Sequence, residues 1–188
     1  SFGAEGIGLF RIEHMFYGKN SETPLAKLRK MILSKTDDER RAALAELEPY
    51  IKAAVKGTMK VMDGKPVTFR LLDPPLHEFL PKEDKEIAEL AKVLNLSIED
   101  LKLKIDSLKE FNPMMGHRGS RLDITYPEIA VMQTNAIISA ACNVKNEGIE
   151  PVVEIMLPLI IDSKEFIYIK KKKKKEIKRV LTKRNVDL

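Results

Sequence analysis

The chain has 188 residues, of which 44% are hydrophobic and 32% are charged, a composition typical of a soluble globular protein. No apolar run approaches the roughly 20 residues that a membrane helix needs, so no membrane association is expected. The single cysteine excludes an internal disulfide and a cysteine-rich metal site. A reducing, cytoplasmic location is expected, with an organelle as the alternative in a eukaryote.

The net charge of +5 is concentrated at the end of the chain. The segment from Asp162 to Leu188 contains nine lysines and two arginines against four acidic residues, a net charge of +7, which leaves −2 for residues 1–161. The run from Lys170 to Lys175 is predicted to be solvated, because six successive lysines cover every side of a helix. A nucleic-acid partner is not expected from one lysine run. A non-catalytic module with a basic binding tail stays open as an alternative.

The first predicted strand runs from Ile7 to Phe10, a short apolar segment. Arg11, Glu13 and His14 follow at its carboxyl end. The simpler interpretation of Arg11 and Glu13 is that they form a local ion pair. Two helical patterns come next, and the second covers Asp37 to Met62, with Asp37 or Asp38 as its N-cap. Pro49 falls inside it and is expected to kink or split the helix.

A second strand is predicted from Val67, and it must end before Pro74 and Pro75. Arg70 and Asp73 stand at its end. In an α/β barrel the chemistry lies at the carboxyl ends of the strands and on the loops that follow, which makes both side chains candidates for a site. The alternative is that Arg70 and Asp73 pair only to hold a proline-rich corner.

Two covering helices, 83–94 and 98–109, precede an irregular segment, 112–127, that has no helical period. His117 in that segment is a candidate hydrogen-bond donor to a phosphate, with a structural role as the alternative. A long helix is then predicted over 128–147, and Cys142 within it is interpreted as a packing residue. A third strand is predicted over 152–157, followed by a helix capped by Asp162.

This order of elements predicts an α/β fold, the first half of a (β/α)8 TIM-type barrel that is incomplete in this chain. Residues 1–161 are assigned to the partial barrel and residues 162–188 to a lysine-rich helix and tail. The helices are expected to cover the sheet, and the strand ends are expected to carry the function.

The sequence resembles the pyruvate, phosphate dikinase family in its phosphoenolpyruvate-binding domain. Parts of the resemblance are shared, more loosely, with phosphoenolpyruvate synthase and with enzyme I of the sugar phosphotransferase system. It spans about Phe2 to Ile161 and does not include the lysine tail. It is carried by four segments: GAEGIGLFRIEHMFY (3–17), RLLDPPLHEFLP (70–81), FNPMMGHRGSRLDITYPEI (111–129) and VVEIMLPLI (152–160).

The resemblance implies an enzyme that interconverts ATP, pyruvate and phosphate with AMP, phosphoenolpyruvate and diphosphate. A phosphohistidine on a swivelling domain of the same enzyme would carry the phosphoryl group to this barrel, where Mg²⁺ is the cofactor. A homodimer is expected for the full enzyme. A phosphoenolpyruvate synthase-like phosphotransferase is the alternative within the same chemistry.

By the same resemblance, Arg11, Arg70 and Arg121 are the substrate-binding arginines. Planar guanidinium groups suit both the phosphate and the carboxylate of phosphoenolpyruvate. A second shell around them is expected from four further side chains: Glu13, His14, Asp73 and His117.

The sequence also departs from the pattern of the family. Ile12 stands where a threonine is expected, and the magnesium ligands and the general-acid cysteine of the family belong to later strands that this chain does not contain. Cys142 does not match the motif of that cysteine. No catalytic or metal-binding residue is therefore predicted here, and the isolated chain is expected to be inactive.

Overall fold

Residues 3–188 are described by a computed structural model, and within them three short parallel strands form one sheet in the order β1-β2-β3. The strands are β1 (Ile7–Arg11), β2 (Pro66–Arg70) and β3 (Val152–Met156). Each falls on an apolar run that was predicted as a strand, which confirms the α/β class. The helices are α1 (Glu22–Ile32), α2 (Asp37–Val61), α3 (Asp84–Leu94), α4 (Ile98–Ser107), α5 (Ser120–Thr125), α6 (Pro127–Asn146) and α7 (Ser163–Arg184).

The helices cover one face of the sheet and leave the other face open. Val67 and Phe69 of β2 are fully buried in the hydrophobic core, and Phe10 of β1 packs edge-on against Phe69 with 5.1 Å between ring centroids. The opposite face carries exposed apolar side chains, among them Leu9 and Met156. Alternate residues of a strand point to opposite faces, so the arginines that end β1 and β2 belong to the open face.

Helix α2 is continuous from Asp37 to Val61, so of the two outcomes predicted for Pro49 the split is wrong and the kink stays a prediction. Its N-cap is Thr36, not Asp37 or Asp38, and Thr36 forms a capping box with Glu39. The helix runs on past the proline because a buried stripe packs most extensively against α6, and this tertiary contact outweighs one lost backbone hydrogen bond. The stripe consists of Leu44, Leu47, Ile51, Val55 and Met59.

The segment predicted to be irregular, 112–127, contains one short helix, α5. Beyond it, α7 packs against α5 and α6, with Cys142 of α6 in a small apolar cluster with Val180 of α7. Lys173 is buried within this contact, so the prediction of a wholly solvated lysine run is wrong at that residue. The spacing from Ile169 through Lys173 to Val180 explains this, because it places Lys173 on the face of α7 that packs inward. None of the described helices is both long enough and apolar enough to span a membrane.

Candidate functional site

The carboxyl ends of β1 and β2 lie side by side and bring two arginines together. Arg11 and Arg70 are register partners across the two parallel strands. A short 3-10 helix, Ile12–Phe16, follows β1 directly and turns Glu13 back into the protein. Arg11 and Arg70 thus lie together at the edge of the sheet where an α/β barrel carries its chemistry, and their functional role stays a prediction.

Arg70 lies between two carboxylates that follow different strands, Glu13 after β1 and Asp73 after β2. Glu13 is only 3% exposed and accepts a hydrogen bond from Arg70 Nη2. The other terminal nitrogen, Nη1, lies 3.1 Å from Asp73 Oδ2. A buried carboxylate needs such a partner, and a guanidinium held by two carboxylates has a fixed plane. Both alternatives considered for the pair of Arg70 and Asp73 are compatible with this geometry.

Arg118 is the fourth side chain of this group, and the sequence reasoning missed it. Its Nη2 donates to Asp73 Oδ2 at 2.8 Å, and its Nε donates to the backbone oxygen of Asp73 at 3.1 Å. Its Nη1 donates to the backbone oxygen of Pro113 at 2.9 Å. The sequence pointed to this segment, because Arg118 directly follows the candidate residue His117. It could not show where Arg118 points, because an irregular segment has no helical or strand period that orients its side chains.

We call Glu13, Arg70, Asp73 and Arg118 the arginine–carboxylate cluster. Its formal charges balance, yet three of its buried atoms have no hydrogen-bond partner among residues 3–188: Glu13 Oε2, Arg70 Nε and Asp73 Oδ1. Such atoms are costly unless something bonds to them, so the cluster retains capacity for a polar ligand.

Two further arginines lie outside this charge balance. Within the described part of the chain, neither Arg11 nor Arg121 has a carboxylate within 4.0 Å. Arg121 Nη1 instead donates to the backbone oxygen of Gly116 at 3.1 Å. The cluster thus supplies positioned guanidinium groups, whereas Arg11 and Arg121 form no ion pair within 4.0 Å among residues 3–188.

The two histidines predicted near the site are not bonded to the cluster. His14 is exposed on the 3-10 helix that carries Glu13. His117 Nε2 lies 2.9 Å from Thr125 Oγ1, and its ring centroid lies 5.9 Å from that of Tyr126. His117 therefore packs against and stabilises α5 in this structure. This contact matches the structural role that was the alternative for this residue.

Gly119 forms the corner that places Arg118 next to Asp73. Its φ is +57°, and a Cβ there would lie 3.1 Å from both the Leu159 Cβ and the Pro158 oxygen. The next residue, Ser120, is anchored to the loop after β3, since its backbone N–H donates to the Pro158 oxygen at 3.0 Å and its hydroxyl donates to the Leu159 oxygen at 2.9 Å. Only glycine combines this conformation with so close a backbone approach.

The decisive comparison is with a family model. The model for "PEP-utilising enzyme, PEP-binding domain" matches residues 1–187. This chain belongs to that family. The match includes the lysine-rich helix, so the expectation that the resemblance ends at about Ile161 is wrong.

Relatives within this family are pyruvate, phosphate dikinases of bacteria, plants and a protist. The chain is 53% identical over 169 residues to the protein of Clostridium symbiosum, covering 89% of this chain and 19% of the relative. It is 48% identical to that of Rhizobium meliloti over an alignment of 189 residues, which covers 100% of this chain and 21% of the relative. The protein of Giardia intestinalis is 46% identical over 164 residues, or 87% of this chain and 18% of the relative. The chain thus spans about a fifth of the length of these relatives.

Ile12, where the family resemblance suggests a threonine, is a core residue. It is 1% exposed and belongs to the main hydrophobic cluster. At this position the chain therefore gains apolar packing and offers no hydroxyl beside Arg11.

The described residues do not fit a magnesium ion. Among residues 3–188 no group of three or more histidine, cysteine, aspartate or glutamate side chains is placed to hold a metal. The two carboxylates of the cluster, Glu13 and Asp73, are both bonded to guanidinium groups. The described residues therefore support no catalytic step through this ion.

Replacing Gly119 with alanine is expected to destabilise the protein by about 1–3 kcal/mol, because a Cβ at this φ is strained and must displace Leu159 or Pro158. Chemical denaturation measures the change. Gly148 is the control for positive φ without a close approach, since its φ is +83° and nothing lies within 4 Å of an added Cβ. Equal losses for Gly119→Ala and Gly148→Ala would show that the close approach at the corner contributes nothing.

Proposed function

We propose that this chain binds phosphoenolpyruvate and pyruvate as part of a pyruvate, phosphate dikinase. One observation supports this most strongly. In a domain matched to a PEP-binding family, a guanidinium group from the end of β2 and one from the segment before α5 converge near the carboxyl ends of β1 and β2 and are held there by buried carboxylates. Arg11, Arg70 and Arg118 are the proposed substrate arginines, and Arg121 is the competing candidate for the third position.

The chemistry of the substrate fits this arrangement. Phosphoenolpyruvate carries a phosphate and a carboxylate, and guanidinium groups bind both with paired hydrogen bonds. In the proposed reaction the phosphoryl group leaves a histidine nitrogen and bonds to the enolate oxygen of pyruvate. Fixed guanidinium groups stabilise the negative charge on the transferring oxygens. Glu13 and Asp73 hold Arg70 and Arg118 in place, so that little reorganisation is needed when the substrate binds.

The open face of the sheet supports a larger proposed architecture. Leu9, Val152 and Met156 are exposed there, and further strands of a (β/α)8 barrel would bury them. In this proposal residues 1–161 form part of the barrel. Residues 162–188 form one of its outer helices and the tail that follows that helix. Magnesium ligands, the general acid and the swivelling phosphohistidine domain come from outside these residues, in a cytoplasmic homodimer, and this chain alone is inactive.

Thermal unfolding of the chain with and without phosphoenolpyruvate tests the proposal. Ligand at about 100 times its Kd is expected to raise Tm by roughly 5 °C or more, because binding to the folded state alone contributes about 2.7 kcal/mol at that ratio. Arg70→Met is expected to abolish this shift. A melt that phosphoenolpyruvate does not change, or an equal shift in Arg70→Met, would contradict binding at this site.

A further inference from the structure

Two ionisable side chains, Asp123 of α5 and Lys173 of α7, are buried where these helices pack. Asp123 is 2% exposed and Lys173 is 5% exposed. Within residues 3–188, neither the oxygens of Asp123 nor Nζ of Lys173 has a hydrogen-bond partner. Burial raises the pKa of Asp123 to about 7, opposed by the charge of Lys173, and burial lowers the pKa of Lys173 to about 8, opposed by the charge of Asp123. Among the described residues, no other charged side chain contributes to either shift.

Burial distinguishes Lys173 from its neighbours in the lysine run. The inward face of α7 repeats at helical spacing through Ile169, Lys173 and Val180, whereas Lys172 and Lys174 on either side of Lys173 are exposed. A buried ammonium is costly unless a negative charge faces it. Asp123, on the helix that packs against α7, is the acidic side chain whose charge acts on Lys173, although its oxygens lie more than 4.0 Å from Nζ and form no direct ion pair with it.

Helix α5 connects Asp123 to the arginine–carboxylate cluster. The backbone N–H of Asp123 donates to the Gly119 oxygen at 3.1 Å, and that of Arg121 donates to the Arg118 oxygen at 3.2 Å. The first turn of α5 is therefore bonded to the corner from which Arg118 reaches Asp73. A shift of α5 relative to α7 would move the backbone that carries Arg118.

We propose that Lys173 is a positioning residue, which holds α5 through the charge of Asp123 and thereby sets the placement of Arg118 in the site. Lys173 itself makes no hydrogen bond to the cluster. The expected effect of Lys173 on phosphoenolpyruvate binding rests on the proposed function, whereas its expected effect on the placement of α5 does not. The other lysines of the run have no part in this role.

The experiment compares Lys173→Met with Lys174→Met in the full chain. These variants remove the same charge from adjacent positions, one buried and one exposed. Hydrogen exchange of peptides covering 116–126, measured at pH 8, reports the order of α5. Calorimetric titration measures the affinity of the site for phosphoenolpyruvate.

Lys173→Met is expected to exchange faster in 116–126. It is also expected to bind phosphoenolpyruvate about tenfold more weakly, since small misplacements of a binding group are costly. Lys174→Met is expected to match the unmodified chain in both measurements.

A second comparison separates charge pairing from loss of side-chain volume. Lys173→Met leaves the Asp123 carboxyl buried without a counter-charge, and its raised pKa makes ionisation cost stability as the pH rises through that value. Lowering the pH to 6 protonates Asp123 and is expected to restore protection in 116–126, compared with the unmodified chain at the same pH. The double variant Asp123→Asn/Lys173→Met is expected to restore protection at pH 8 as well. A purely steric role for Lys173 predicts neither recovery.

The outcomes keep the two proposals separate. If the unmodified chain does not bind phosphoenolpyruvate, the proposed function fails, and hydrogen exchange still tests the pair. Unchanged exchange in Lys173→Met, equal defects in Lys173→Met and Lys174→Met, or no recovery at pH 6 and in the double variant would each overturn the role of Lys173. If Lys173→Met does not fold at all, a folded double variant supports the pairing. An unfolded double variant with a normal Asp123→Asn contradicts it.

Discussion

Replacing Arg118 with lysine is expected to weaken phosphoenolpyruvate binding by about 10- to 100-fold, the range for losing hydrogen bonds to a charged group. Arg118 uses all three guanidinium nitrogens on Asp73 and Pro113, which fixes its plane beside Arg70. Lysine keeps the charge but cannot reproduce that geometry, because an ammonium on a flexible stem makes no planar, paired contact. Isothermal titration of the variant and the unmodified chain measures the change in Kd.

Arg121→Lys is the matched control for Arg118. Arg121 donates one hydrogen bond, to the Gly116 oxygen, and a lysine there keeps both the charge and a donor. The expected change in Kd is less than about threefold, since a donor to one carbonyl is replaced by another. If Arg121→Lys loses more affinity than Arg118→Lys, Arg121 is the third substrate arginine, as the family resemblance alone implied. Both variants should be shown to keep their Tm within a few degrees before the affinities are compared.

Replacing Asp73 with asparagine is expected to lower the free energy of unfolding by about 2–3 kcal/mol, or roughly 5–10 °C in Tm. Asp73 Oδ2 lies 3.1 Å from Arg70 Nη1 and 2.8 Å from Arg118 Nη2, so one carboxylate separates two largely buried guanidinium groups. Asparagine preserves the shape but removes the charge that makes their approach favourable. The remaining partner of Arg70 is Glu13, whereas Arg118 retains only backbone oxygens.

Asp84→Asn is the control for this change in stability. The Asp84 carboxylate also has a partner, Lys102 Nζ at 2.6 Å, but it is 84% exposed. A surface pair of this kind contributes about 0–1 kcal/mol, so the control should unfold close to the temperature of the unmodified chain. A loss of stability in Asp73→Asn no greater than that in Asp84→Asn would show that the arginine–carboxylate cluster does not stabilise the fold.

Local pattern predicted much of the fold, because apolar strands and capped helices depend on neighbouring residues. The three strands, the cap of α7 at Asp162 and the place of Arg70 at a strand end all follow from short segments of sequence. The split at Pro49 was wrong because the contact between α2 and α6 is made by residues far apart in the chain. A prediction based on neighbouring residues cannot compare the free energy of such a tertiary contact with that of one lost hydrogen bond.

The sequence by itself determined the α/β class, the family and the position of Arg11 and Arg70 at the ends of parallel strands. These features depend on residue type and spacing alone. Only the tertiary structure decided that Arg118 joins Asp73 and that Lys173, alone in its run, is buried where α7 packs against α5, the helix of Asp123. Arg118 and Asp73 are 45 positions apart in the chain, and α5 and α7 are also brought together by the fold, so the balance between burial and charge depends on which segments meet.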